Sequence, residues 1–269
     1  MSSCGLLASV HRYPVKSMMG EELNAVRVTA CGLFGDRAYA LCDRETKKIV
    51  SAKNPHKWPN LFSYRAAYIN PPETASVLPA VRVTLPNGTL VVSNSDNFAK
   101  TISNALGRPV TLLEAPPQEA QLEEYWPDMD GLAHRDAITE EAVPAGTFFD
   151  LATLHVLTTG TLDKLRELYP AGRFEPRRFR PNLIISTGDQ KGFVENDWIG
   201  KDVSIGPEVQ IQITGPCPRC VMTTLAQGDL PKDPGILKTA AQYNEVRVGV
   251  YASVVRAGTI RIGDTIMVQ

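Results

Sequence analysis

The segment Gly215-Pro216-Cys217-Pro218-Arg219-Cys220, followed by Val221-Met222-Thr223-Thr224, puts two of the chain's five cysteines three positions apart with a guanidinium between them. A thiol can serve as nucleophile, redox partner or soft metal ligand, and a neighbouring cation favours its thiolate. Arg219 beside Cys220 is therefore a candidate reactive or metal-binding site. Other readings compete with it. Half of a structural zinc site would need a second Cys-x-x-Cys or a closely spaced His pair, and neither Cys4, Cys31 and Cys42 nor His11, His56, His134 and His155 supplies one. A thioredoxin-like disulfide needs its pair at a helix start, whereas Pro216 and Pro218 follow a β-rich run and resist helix nucleation. Two buried, inert cysteines are a common outcome, and the residues alone leave that alternative open.

A second cluster precedes the cysteines. Arg173, Arg177, Arg178 and Arg180 are interleaved with Phe174 and Phe179, held by Pro176 and Pro181, and followed by Asn182. Planar guanidinium groups beside aromatic rings suit an anion with planar parts. Single-stranded nucleic acid would fit the same description. A formal net charge of −1 over 269 residues leaves no comparable basic surface elsewhere, which favours a small phosphorylated or otherwise anionic ligand. Further candidates are Lys16 and Ser17 just past Pro14, Arg37 in a glycine-punctuated turn, and Lys53 and His56 in a proline-bounded stretch. The plain readings of the first two are a solvated lysine and a turn serine. Thr158-Thr159-Gly160-Thr161 either caps a helix or offers hydroxyls and N–H groups to a phosphate.

The elements that must position these groups are mostly short strands. Leu6 to Tyr13, Leu23 to Thr29 and Ala38 to Cys42 read as strands, and Pro86-Asn87-Gly88 joins Val81–Leu85 to Thr89–Val92 as a hairpin. Asp96 is expected to cap a helix ending at Gly107, with Trp58 as a packing anchor before it. Prolines and six acids from Glu114 to Asp130 predict an irregular connector. Beyond it, strands alternate with short helices after Thr158 and after Asp233-Pro234, and the glycine turns point to a closed or partly closed barrel. A hydrophobic content of 43 % with no apolar run near 20 residues predicts a soluble cytoplasmic protein without a membrane span. Five irregularly spaced cysteines do not form a secreted disulfide framework.

Tyr13-Pro14-Val15-Lys16-Ser17, Gly35-Asp36-Arg37, Arg180-Pro181-Asn182, Cys217-x-x-Cys220-x-x-Thr223-Thr224 and Gly258-Thr259-Ile260-x-x-Gly263-Asp264 occur in the order that resembles MOSC proteins with an N-terminal MOSC β-barrel domain. Among these the chain is most similar to the amidoxime-reducing class and its bacterial relatives. The resemblance implies a β-rich α+β fold, with an N-terminal barrel-like domain over 1–115, a connector over 116–130, and a MOSC β-barrel with a few short helices over 131–269. It implies a molybdenum cofactor (Mo-molybdopterin) with Cys220 as the catalytic metal ligand, a role for which soft thiolate is suited. Pterin and phosphate contacts would fall on Lys16, Ser17, Arg37, Arg180, Pro218, Arg219 and Tyr251, with Asn182 beside them. A further family contact falls near Ala152, which has no hydroxyl and would act through its backbone. Cys217 matches a cysteine that is not the ligand.

The implied activity is reduction of N-hydroxylated small molecules such as hydroxylamines, amidoximes or N-hydroxylated base analogues. Electrons would come from a separate ferredoxin-like, flavin or haem protein, since the chain lacks the cysteine cluster of an iron–sulfur domain. No pyridoxal phosphate is expected, because nothing resembles a cysteine desulfurase. The alternatives are a molybdenum cofactor or sulfur carrier without turnover, and a nucleic-acid-binding module dependent on Arg173, Arg177 and Arg178.

Overall fold

Seven strands pair in a ring in this computed structural model, which describes residues 3–73, 78–130 and 132–269. Going round, Ser3–Arg12 joins Thr265–Val268, Asp202–Ile205, Val209–Pro218, Arg247–Arg256, Leu154–Thr158 and Leu183–Ser186, which returns to Ser3–Arg12. Only Leu154–Thr158 and Leu183–Ser186 run parallel, and helix Thr159–Leu168 lies between them in sequence. The Thr158 hydroxyl caps that helix by accepting from the Thr161 N–H at 3.1 Å. Period-two patterning explains the closure. Val209, Ile211 and Ile213 point inward and are fully buried, while Gln212 and Thr214 face out. With Val156, Val203, Ile205, Val250 and Ile266 they fill the barrel, each worth about 1.5–3 kcal/mol when buried.

Ser3–Arg12, grouped on sequence with the first half, closes the ring made by the second. Its two partners in the ring lie more than 170 residues away, beyond the reach of local pattern reading. The second half reciprocates, since Gly258–Arg261 pairs with Ala25–Thr29. The remaining N-terminal strands form short sheets, Arg65–Tyr68 with Val81–Thr84 and Leu90–Val92, and Ala40–Asp43 with Val110–Leu113. They wrap a core of Tyr39, Trp58, Phe62, Val83 and Ile102, against which Met222 and Cys220 of the second half also pack. The expected Pro86-Asn87-Gly88 hairpin forms, with Gly88 at φ 84°. Helix Phe98–Leu106 starts one residue later than expected. Asn97, not Asp96, occupies its N-cap, because the backbone turn from Ser95 O to the Phe98 N–H closes there.

The stretch expected to be an irregular connector contains a strand. Gln121–Trp126 pairs antiparallel with Ala137–Ala142, and its inward positions are Leu122 and Glu124. The acid at an inward position interrupts the apolar alternation that would have revealed it.

Candidate functional site

A cavity of about 430 Å³ brings together Lys16, Ser17, Arg37, Ala152, Arg180, Asn182, Pro218, Arg219, Cys220 and Tyr251. The site residues implied by the family resemblance thus line one space, although they come from six separate stretches of chain.

Strand Val209–Pro218 delivers the cysteine pair. Its register against Arg247–Arg256 shifts after Ile213 and again after Pro216, bending the strand end, and the Arg219 N–H then bonds to Val246 O at 2.8 Å. A 3-10 turn, Val221–Thr224, follows directly. The Thr223 N–H and hydroxyl both donate to the Cys220 carbonyl, at 3.2 and 3.0 Å, and the Thr224 hydroxyl donates to Val221 O. Thr223 thus holds the Cys220 carbonyl, and Thr224 holds the turn that follows it.

Backbone conformation marks the same place. Of eight described non-glycine residues with positive φ, Ser17, Arg37, Arg180 and Val246 line this cavity. Such conformations cost energy, most of all for β-branched Val246, and persist where the surroundings over-determine them. Here the supports are visible. Buried Asp36 accepts from the Tyr13 N–H at 2.7 Å, from Asn182 Nδ2 at 2.9 Å and from Arg37 Nη1. Arg180 Nη1 donates to Met18 O at 2.7 Å, and its guanidinium lies 4.1 Å from the Tyr13 ring centroid. Asn182 is spent on such positioning. Its amide donates to Asp36 and His11 O and accepts from the His155 N–H.

Lys16 is not the solvated lysine of the plain reading. It is 5 % exposed, and its ammonium donates to Phe148 O at 2.6 Å and to Asp150. Burial lowers its pKa, while Asp150 works against that. The Asp150 carboxyl lies well below the ordinary range, because Lys16 and Lys53 outweigh the opposing effect of burial. Lys53 is raised above its ordinary value. Burial lowers it, and the surrounding anions, Asp150 foremost, more than offset this. Lys53 also donates to Glu124 at 2.9 Å. Sequence reasoning missed Asp150 and Glu124 as site residues and gave Lys53 no partner. The one available signal was Phe148-Phe149-Asp150 heading a strand.

The arginine cluster divides into different jobs. Only Arg180 reaches the cavity. Arg178 is fully buried and donates to four carbonyls, those of Arg173, Thr223, Leu225 and Pro231, at 2.8–3.2 Å. Arg173 and Arg177 pair with Glu175 and Asp229 at the surface. The compact four-arginine anion site expected from the sequence is therefore not formed, because neighbouring acids and backbone oxygens take up three of the four side chains. His56 stands edge-on to Tyr125 outside the cavity.

The thiols differ from the expected pairing as well. Arg219 Nη1 donates to Cys217 Sγ at 2.6 Å, and Nη2 donates to Phe179 O. Its guanidinium therefore serves the fully buried Cys217, while the Cys220 thiol is pushed up to about 12 by burial, with Glu124 adding to the effect. Arg219 Nε is buried without a partner among the described residues, an orphan donor in the cavity wall. Such a donor has a cost unless an anion meets it. No group of three or more His, Cys, Asp or Glu side chains suited to a metal occurs among the described residues. A metal held by Cys220 must therefore bring most of its ligands with it.

Residues 4–106 match the MOSC N-terminal beta barrel domain, and residues 145–267 match the MOSC domain. The chain is a MOSC domain protein with an N-terminal MOSC barrel domain. Thr223, Thr224 and the four positive-φ cavity residues Ser17, Arg37, Arg180 and Val246 all lie within those two matched segments of the MOSC chain. Among curated relatives, it is 37 % identical over 98 residues to molybdenum cofactor sulfurase of Drosophila ananassae, covering 34 % of this chain and 12 % of that one. Against the same enzyme of Drosophila pseudoobscura pseudoobscura the identity is 40 % over 78 residues, 28 % of this chain and 9 % of that one. The MOSC protein thus spans about a tenth of the length of these relatives. Among solved structures, the YUAD protein of Bacillus subtilis aligns over 98 % of this chain and 94 % of its own at a TM-score of 0.48 and 11 % identity. YiiM of Geobacillus stearothermophilus aligns over 49 % and 67 % at 0.35 and 16 %. No helix among the described residues is long and apolar enough to cross a membrane.

Proposed function

We propose that this MOSC protein holds a molybdenum cofactor with Cys220 as its protein ligand and reduces N-hydroxylated small molecules, using electrons from a separate redox protein. The observation that carries the reading is the convergence of one part-exposed thiol with Lys16, Arg37, Arg180 and Arg219 in a single cavity. A lone soft ligand beside several cations suits a metal that arrives in an anionic, sulfur-rich organic ligand. The orphaned Arg219 Nε supplies a donor for that anion. The similarity to molybdenum cofactor sulfurases supports the choice of cofactor.

When bound, the cofactor would supply the two-electron chemistry that removes oxygen from the substrate nitrogen; the chain's own groups provide placement and charge. Lys16, Arg37, Arg180 and Arg219 would hold its phosphate and pterin, with the Ser17 hydroxyl free to donate because its oxygen already accepts from the Ala52 N–H. Ala152 would contribute backbone only, and Pro218 and Tyr251 would pack beside it. Asn182 acts one step removed, by holding Asp36. The similarity to sulfurases also favours a second reading, a cofactor or sulfur carrier without turnover.

The test is molybdenum and pterin content per chain for wild type, Cys217→Ala and Cys220→Ala, purified from a cofactor-making host, followed by reduction of benzamidoxime by reduced methyl viologen. Near-stoichiometric metal lost only in Cys220→Ala, with turnover, supports the reductase. Metal without turnover favours the carrier, and absence of both metal and pterin from all three refutes either.

A further inference from the structure

The lining of the cavity is divided by charge. Lys16, Arg37, Arg180 and Arg219, with Asp150 paired to Lys16 among them, make one part cationic, whereas the hairpin Gln121–Trp126 and Ala137–Ala142 brings the carboxylates Glu124 and Glu141, with Lys53 between the two parts. The register sets Leu122 opposite Glu141, Glu124 opposite Thr139 and Trp126 opposite Ala137, so Glu124, Trp126, Thr139 and Glu141 share one face. A chain of hydrogen bonds fixes that face. Trp126 Nε1 donates to Thr139 Oγ1 at 2.8 Å, and the Thr139 hydroxyl donates to Glu141 Oε1 at 2.9 Å. Glu124 is balanced by Lys53, but Glu141 forms no ion pair among the described residues. Neither family match includes the hairpin, and none of the cofactor contacts lies on it.

An acidic, aromatic face is a poor partner for an anionic cofactor and a good one for a planar cation. We propose that this hairpin is the substrate-selecting wall, and that Glu141 and Glu124 favour N-hydroxylated nitrogen bases whose reduced product is a cation, such as amidoximes and N-hydroxyguanidines, over hydroxamic acids. The inference rests on the reductase reading. Reduction of an amidoxime takes two electrons from the redox partner and two protons, breaks the N–O bond, and releases water and an amidine. The amidine takes up one further proton to become a planar amidinium. Positive charge thus grows on the substrate as the N–O bond breaks, and carboxylates in the wall stabilise that charge more than the neutral starting molecule. A hydroxamic acid yields a neutral amide, for which the wall does nothing, and its anion is repelled.

The test compares benzamidine with its neutral isostere benzamide by calorimetry on the cofactor-loaded protein. It also compares kcat/KM for benzamidoxime with that for benzhydroxamic acid, using reduced methyl viologen. Wild type is expected to prefer benzamidine about tenfold, and Glu141→Gln to cut that preference and the kcat/KM ratio by about fivefold, the scale of one partly exposed charge. Glu124→Gln should act in the same direction but strips Lys53 of its partner, so part-exposed Glu141 is the deciding variant. Equal binding of the two ligands, or a ratio that Glu141→Gln does not move, overturns the wall. Charge-selective binding without reduction of any substrate leaves the wall standing and refutes the reductase. Unselective reduction of both substrates does the reverse.

Discussion

Asp36 is the carboxylate on which the cationic side of the cavity depends, and removing it has a calculable cost. Its side chain is fully buried and holds three donors: the Tyr13 N–H, Asn182 Nδ2 and Arg37 Nη1. Asp36→Ala would leave a mostly buried guanidinium unpaired and two further donors unsatisfied. Breaking a buried ion pair from one side costs about 3–5 kcal/mol, because the surviving charge keeps its desolvation penalty. For 269 residues, an unfolding entropy of about 2.1 cal/mol/K per residue converts 4 kcal/mol into a fall in Tm of roughly 7 °C. Asp36→Asn keeps an acceptor for the Tyr13 N–H but turns a donor toward Arg37 or Asn182, so an intermediate loss is expected. Thermal unfolding followed by circular dichroism decides it. A Tm for Asp36→Ala within about 2 °C of wild type would refute the buried-network argument. A loss in Asp36→Asn equal to that in Asp36→Ala would show that charge outweighs acceptor geometry.

His155 predicts an acid limb. Burial, with Arg219 adding to it, holds its pKa down to about 3 against an ordinary 6.5, and its Nε2–H donates to Val248 O at 3.1 Å. The folded value is depressed, so this stability is present above pH 6.5 and is lost as pH falls toward the folded value. By pH 5 the loss is about 2 kcal/mol. Wild type and His155→Gln melts should therefore converge between pH 7.5 and 5, and parallel curves would contradict the assignment. Arg178→Lys cannot reproduce four guanidinium bonds to carbonyls and should cost about 3 kcal/mol in urea unfolding, whereas Arg177→Lys at the surface should cost under about 1. Equal effects would mean that the cluster is not divided as described. Gly249 sits at φ 81°, and a Cβ there would lie 2.3 Å from His155 Nε2 and 2.6 Å from Val156 O. Gly249→Ala should destabilise by at least about 2 kcal/mol, and an unchanged urea midpoint would disprove that close approach.

What the sequence showed well was whatever local pattern decides. The alternation of Val209, Ile211 and Ile213, the Asn87-Gly88 turn and the order of the site motifs all survive in the structure. What it hid was set by partners distant in sequence. Glu124 reads as one more acid in a proline-rich stretch, because the residue that justifies its inward position, Lys53, lies 71 positions away. Arg178 and Arg180 look alike two positions apart, yet carbonyls of a loop some 50 residues on claim the first. The proximity of Arg219 to Cys220 in sequence was misleading in the same way. Strand residues at the Pro216–Pro218 bend point to different places, so the guanidinium meets the earlier thiol.

The interleaving of the two halves explains why these site residues hold their geometry. Ser3–Arg12 closes the barrel, and the chain leaving it supplies Lys16 and Ser17 within five residues, so the cationic side inherits the barrel's rigidity. From the other direction, Met222 and Cys220 pack against the N-terminal core, which fixes the thiol from the side that the barrel does not reach. Closure of the ring also removes strand edges that Leu183–Ser186 and Thr265–Val268 would otherwise present. The hairpin Gln121–Ala142 stands outside this double support. Its two strands pair with each other, and it is tied to the rest by Leu122, which bridges to Ile49 and packs with Ala40 and Phe148, and by the ion pairs of Lys48, Lys53 and Lys57. Glu141, whose side chain is held by Thr139 of the same hairpin, can change without disturbing the cofactor contacts, which is what a wall that selects substrates requires.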